Sequence, residues 1–175
     1  MVTTKKQALY IVGGVSKPSK MPGLSIGLPA QECKTGSKLR KIPGSVCSTC
    51  YAMKGCYTMY PAVKVAQYRR LDALKHPQWI DAMVKLIKGQ EVFRWHDSGD
   101  LQGFDHLNNI VKVCEATPET KHWMPTKEKS LVLRYRRMFG DFPKNLVVRV
   151  SMPMINGKPK GKFKNTSTVH TGESL

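Results

Sequence analysis

The sequence predicts an α/β fold, a parallel sheet or a partial β/α barrel, with a cysteine-rich metal-binding loop. Three observations carry that prediction. Between Val92 and Val150, short apolar runs alternate with helical stretches, the pattern of β/α units on a parallel sheet. Each run ends in polar residues: His96-Asp97-Ser98-Gly99-Asp100, then Thr126-Lys127-Glu128, then Ser151. Right-handed crossovers would bring those ends to one edge of the sheet. Finally, four of the five cysteines fall in one short stretch, Cys33, Cys47, Cys50 and Cys56, with the spacing C-x13-C-x2-C-x5-C.

In chain order, Ala8 to Val12 read as a short strand ended by Gly13-Gly14, and residues 15–23, rich in Pro, Lys and Ser, as a loop. Leu24 to Leu28 suit a second strand before Pro29. Residues 31–58 form the cysteine loop, which has turn formers at Thr35-Gly36-Ser37, Pro43-Gly44-Ser45 and Gly55 but little apolar periodicity. A metal centre would supply the order that apolar residues do not. Pro61 opens a helix running to about His76, and Pro77 opens another in which Trp79, Ile80, Met83, Val84 and Ile87 share a face before Gly89. Strands follow at Val92–Trp95, Lys121–Met124 and Leu146–Val150. The intervening helices carry Phe104, Leu107, Val111 and Cys114, then Leu131, Tyr135 and Met138. Cys114 on its apolar stripe reads as core.

The 175 residues, 41% hydrophobic, suit one domain. It is expected over residues 1–155, with 156–175 as a basic, flexible tail bearing Lys158, Lys160, Lys162 and Lys164. No run of 18 apolar residues exists, so no membrane-spanning helix is expected, and the N-terminal apolar run is too short for a secretory signal. A cytoplasmic location follows as an expectation, and in that reducing compartment clustered cysteines serve as ligands more often than as disulfides.

Four thiolates suit an iron–sulfur cluster ([4Fe-4S]) or, alternatively, zinc (Zn2+). Two structural disulfides, or a thiol–disulfide redox pair at Cys47-Ser-Thr-Cys50, are the competing readings. The net charge is +17, and residues 1–71 hold twelve Lys or Arg against the single acid Glu32. That field would attract nucleic acid or another polyanion and offset the charge of a thiolate-bound cluster. Tyr51 and Lys54 are candidates for contacting a bound cofactor. Tyr51, Tyr57 and Tyr60 could pack over the metal, stack on bases or fill core.

Ligands of parallel α/β folds sit at the carboxyl ends of the strands. His96, Asp97, Ser98, Asp100, Lys127 and Glu128 are therefore the candidate catalytic residues. Each has a structural alternative: Asp97 or Asp100 as a helix cap, Glu128 at a helix start, and His96 as a satisfied buried imidazole. His122, within a strand, is expected to be partly buried.

The segments LPAQECKTGSKLRKIPGSVCSTCYAMKGCY, FRWHDSGDLQ, KHWMPTKE and VVRVSMPMI resemble the phage-encoded gene product eighty-eight domain family over most of residues 15–155. The resemblance implies a phage protein acting in a bacterial cytoplasm and implies no particular activity. The family is associated with a further cysteine-rich segment near the C-terminus, whereas residues 156–175 contain no cysteine. A looser likeness is to radical S-adenosylmethionine enzymes, which also place a cysteine loop after an early strand of a partial barrel. It implies S-adenosylmethionine as a candidate cofactor. The usual spacing there is C-x3-C-x2-C, which this chain does not have.

Overall fold

The structure is a computed structural model that describes residues 2–159 and 163–172. Five strands form one sheet: β1 (Leu24–Ile26), β2 (Val92–Trp95), β3 (Lys121–Thr126), β4 (Leu146–Ser151) and β5 (Thr166–Ser167). They lie in the order β1-β2-β3-β4-β5 and every neighbouring pair is parallel. Seven α-helices occur among the described residues: α1 (Lys5–Val12), α2 (Lys34–Leu39), α3 (Cys56–Met59), α4 (Pro61–Ala73), α5 (Trp79–Ile87), α6 (Phe104–Ala116) and α7 (Lys129–Phe139). No helix among them is long and apolar enough to cross a membrane.

Strands laid down in sequential order by crossovers of one hand carry their helices on the same face. The core has that one-sided form. Ala8, Ile11 and Val12 of α1, Met83 and Ile87 of α5, Leu107 and Ile110 of α6, and Val132 and Tyr135 of α7 are buried together with Ile26, Phe93, Trp95, Met124, Val148 and Val150 of the strands. Side chains alternate across a strand, so Arg94, Trp123, Val147 and Arg149 point to the other face, where they are half-buried or exposed. Cys114 lies fully inside the core, as its helical stripe predicts.

The expected strand at residues 8–12 is instead the end of α1. The Thr4 hydroxyl caps the helix by accepting from the Gln7 N–H at 3.1 Å, and Gly13, at φ 74°, closes it in the left-handed conformation. Ala8, Ile11 and Val12 have helical spacing, but a short apolar run does not by itself distinguish helix from strand. The strand expected at Lys121–Met124 extends two residues further, through Pro125 to Thr126. Lys121 N–H bonds the Glu91 carbonyl, so odd-numbered residues of β3 point their nitrogens at β2. The β2–β3 ladder stops at Arg94↔Trp123, short of Pro125, which has no N–H to extend it. The tail expected to be flexible contributes β5: Val150 and Met152 donate to the carbonyls of Asn165 and Ser167 at 3.1 and 2.8 Å. Lys160 and Lys162 lie outside the described residues.

His122, on the helix face of β3, is only 2% exposed. The Trp95 indole N–H donates to its Nδ1 at 3.2 Å, and Nε2 meets the Thr117 hydroxyl at 2.9 Å. That hydroxyl donates to the Val113 carbonyl at 2.7 Å, so it accepts from Nε2–H and the ring is held neutral. Burial lowers the His122 pKa from 6.5 to about 4. The unfolded chain therefore binds the extra proton first. The stability this ring contributes is complete above pH 6.5 and is lost as the pH falls from about 6.5 to about 4. We expect the unfolding free energy from urea titrations to drop across that window, by on the order of 2–3 kcal/mol from this residue. His122→Gln should be less stable at neutral pH and show a shallower acid slope.

Candidate functional site

The chain leaves β2 through a strained corner. His96 has φ 58°, in the left-handed region that side chains rarely adopt, while its N–H still donates to the Ile26 carbonyl at 2.9 Å. Three residues on, a Cβ on Gly99 would lie 2.7 Å from both the Cβ and the carbonyl oxygen of Leu28, so the turn closes only with glycine there. These constraints press the WHDSGD segment against the segment that follows β1.

Most of the strand-end carboxylates and hydroxyls are occupied in holding this edge together. Asp100 is 6% exposed, and its carboxylate accepts from the Thr126 hydroxyl at 2.6 Å, the Lys127 N–H at 2.7 Å and the Leu101 N–H at 2.8 Å, clamping the end of β2 to the end of β3. Burial raises its pKa and the three hydrogen bonds oppose that. Ser98 donates to the Leu28 carbonyl and accepts from the Gln67 amide, both at 2.9 Å. Glu128 accepts the Thr35 N–H at 2.8 Å and so fixes the start of α2. Asp97 accepts from the Ser25 hydroxyl at 3.0 Å, and its backbone carbonyl accepts from the Tyr51 hydroxyl. Neither Asp97 nor Glu128 lines the cavity described next.

That cavity, of about 390 Å³, opens at the carboxyl edge of the sheet. The cysteine loop forms one wall, with Cys33, Cys47, Cys50 and Tyr51; His96, Ser98, Asp100, Thr126 and Lys127 form the other. The loop is moored to the sheet by the Glu128–Thr35 bond and by backbone bonds from Val46 N–H to the Pro153 carbonyl and from Ile155 N–H to the Gly44 carbonyl. Two of the sulfurs flank Gly36: a Cβ there would sit 3.6 Å from the Cys33 Sγ, 3.7 Å from the Cys47 Sγ and only 2.8 Å from the Cys33 Cβ. A side chain at Gly36 would collide with the Cys33 Cβ and touch both sulfurs.

The fourth cysteine of the loop is not brought to this cavity. Cys56 begins α3 and is exposed, and Lys54 is exposed beside it, outside the lining. The structure thus assembles three thiols where the spacing suggested four. Among the described residues no three His, Cys, Asp or Glu side chains converge tightly enough to hold a single metal ion. All five cysteines are free thiols.

Burial governs the thiol chemistry. It pushes the Cys33 pKa up to about 12, and it raises Cys47 as well, although the nearby Lys127 and Arg40 cations pull the other way. A reactive cysteine needs the opposite shift, which argues against Cys47 as the attacking thiol of a redox pair. The His96 ring lies at the back of the cavity. Neither of its nitrogens has a hydrogen-bond partner among the described residues; the Pro125 carbonyl is nearby but outside bonding geometry. Burial lowers its pKa to about 4, so the ring is neutral at pH 7. Its neighbour is His106, a second buried imidazole 5.4 Å away centroid to centroid.

Sequence reasoning overlooked Arg94, Ser167 and Val169, all on the cavity wall. Arg94 was detectable as the outward position in the alternation Val92-Phe93-Arg94-Trp95. Ser167 and Val169 lie in a segment that composition marks as tail and become wall only through β5.

The class defined by this fold and site is a one-sided β/α protein with a thiol-walled cavity at the carboxyl edge of its parallel sheet. The model of the Gene product 88 family matches residues 2–174, and the chain belongs to that family. No curated protein and no solved structure matches the chain, and these comparisons supply no likeness to radical S-adenosylmethionine enzymes.

Asp100→Asn replaces one acceptor oxygen with a donor where two backbone N–H groups and a hydroxyl converge. We expect a loss of about 2 kcal/mol in urea unfolding. Glu128→Ala should cost less globally but expose residues 31–58 to limited proteolysis, because it releases the Thr35 mooring.

Proposed function

We propose that Cys33, Cys47 and Cys50 hold a four-iron–four-sulfur cluster, and that this is a phage iron–sulfur protein working in the host cytoplasm. The observation that carries the reading is that these three thiols line one wall of a strand-end cavity. The space kept clear by Gly36 beside two of the sulfurs and the unpartnered nitrogens of His96 across the cavity support it. The donor set favours a cluster over zinc: a structural zinc site needs four donors packed about one ion, and no such group exists among the described residues, whereas a cluster spreads its thiolates over a wider body.

When bound, such a cluster would supply electron transfer or, with fewer than four protein thiolates, an iron open to a small-molecule ligand. S-adenosylmethionine is one candidate for that ligand. The chain's own contributions are more specific. Cys33 and Cys47 are protonated when free, so loading must release their protons. Arg40 and Lys127 favour the thiolate forms. Arg94 and Lys127 place two cations in the cavity for an anionic substrate group, Ser151 and Ser167 offer hydroxyls, and the neutral His96 can donate one hydrogen bond and accept another.

Protein purified without air should be brown and contain iron and acid-labile sulfide. Alanine at Cys33, Cys47 or Cys50 should abolish both, while Cys56→Ala and Cys114→Ala should retain them. Colourless protein with stoichiometric zinc, or equal iron loss from Cys56→Ala, would overturn the assignment.

A further inference from the structure

The sheet face opposite the helices carries a second arrangement of chemistry. Its floor is set by register. Arg94 of β2 is paired with Trp123 of β3 and Trp123 with Val147 of β4, and one step further Pro125 is paired with Arg149. Lys121 opens the same face at the start of β3. With Met21 and Pro22 as a side wall, Arg94, Lys121, Trp123, Val147 and Arg149 border a hollow of about 490 Å³ whose lining contains no acidic side chain among the described residues. The Arg94 guanidinium lies 4.6 Å over the Trp123 ring. Arg94 Nε and the Trp123 indole N–H are buried without hydrogen-bond partners among the described residues. Arg94 also borders the cysteine cavity, so the two hollows adjoin.

We propose that this open face binds single-stranded nucleic acid. Lys121 and Arg149, both exposed, face outward as phosphate contacts. Trp123, half-buried in the floor with the Arg94 guanidinium over its ring, offers a cation–π pair on which an unstacked base can lie without its sequence being read. A duplex keeps its bases stacked inside and cannot present one to a recessed ring. The net charge of +17 supplies the long-range attraction, and the strand would run along the face toward the carboxyl edge. The inference does not depend on what the thiols bind.

The test uses intrinsic fluorescence and matched charge changes. Trp79 and Trp95 are 1% and 0% exposed, so contact quenching reports on Trp123. Titration with an oligodeoxythymidylate of about 12 nucleotides should quench the emission, with an affinity that falls steeply with salt. Lys121→Glu combined with Arg149→Glu should weaken binding at least tenfold and flatten the plot of log affinity against log salt by about 1.4. Lys5→Glu combined with Lys6→Glu alters the net charge equally, on exposed positions of α1 in the helix layer, and should change affinity less than twofold. Trp123→Ala, followed by anisotropy of a labelled strand, should bind roughly fivefold or more weakly.

Four outcomes would overturn the proposal: no quenching, equal losses from the two charge-matched pairs, binding of a duplex as tight as of a single strand, or a face occupied by a second copy. The last would appear as Trp123 emission and sedimentation that vary with protein concentration in the absence of nucleic acid. Should the strand variants fail to fold, the quenching and duplex comparisons on the unaltered chain still decide.

Discussion

One-sided winding is the constraint from which the rest of this molecule follows. Each crossover advances the sheet by one strand in the same direction, so α1, α5, α6 and α7 share a single face with the buried halves of the strands. A doubly wound sheet would have covered both faces. Here the second face keeps Arg94, Trp123 and Arg149 in reach of solvent, and the parallel strands deliver their carboxyl ends, with His96, Asp100 and Lys127, to one rim. The cavity and the open face are two consequences of the same topology, joined at Arg94.

The cysteine loop illustrates how a segment with little apolar content acquires a fixed position. Within residues 31–58 few side chains are buried, among them Ser45, Cys47 and Ala52. The loop is therefore positioned by polar moorings: Glu128 on the Thr35 N–H, backbone pairing of residues 44–46 with 153–155, and Tyr51 on the Asp97 carbonyl. Several residues with the chemistry of catalysts thus serve as clamps. Asp100, Ser98 and Glu128 spend their hydrogen-bonding capacity on the architecture, while His96 and Arg94 retain unpartnered nitrogens.

Much of this was legible in the sequence, and the failures have physical causes. Strands β2 to β4 and helices α5 to α7 announce themselves because their apolar spacing is regular and Gly or Pro punctuates them, whereas α4 has no apolar stripe and is marked only by Pro61 and Pro77. Helix α1 was misjudged because five apolar residues fit either period, although Thr4 and Gly13 mark both of its ends. β5 was invisible: Thr166-Ser167 has no apolar pattern, and its order comes from the backbone of β4. For the site, the sequence correctly pointed to the carboxyl edge but could not apportion roles. Nothing in WHDSGD reveals that the Asp100 carboxylate accepts three hydrogen bonds while the His96 ring has no hydrogen-bond partner among the described residues. Nor does the spacing of the cysteines reveal that Cys56 falls at the start of an exposed helical turn while the other three line the cavity.

The backward-turned corner at His96 has a consequence for durability. Glycine would adopt that φ without steric cost, so the fold itself would be better served by a residue with no ring at all. Selecting this protein for heat resistance alone would consequently tend to strip the imidazole from the rim, and ruggedness and chemistry pull in opposite directions at that one corner.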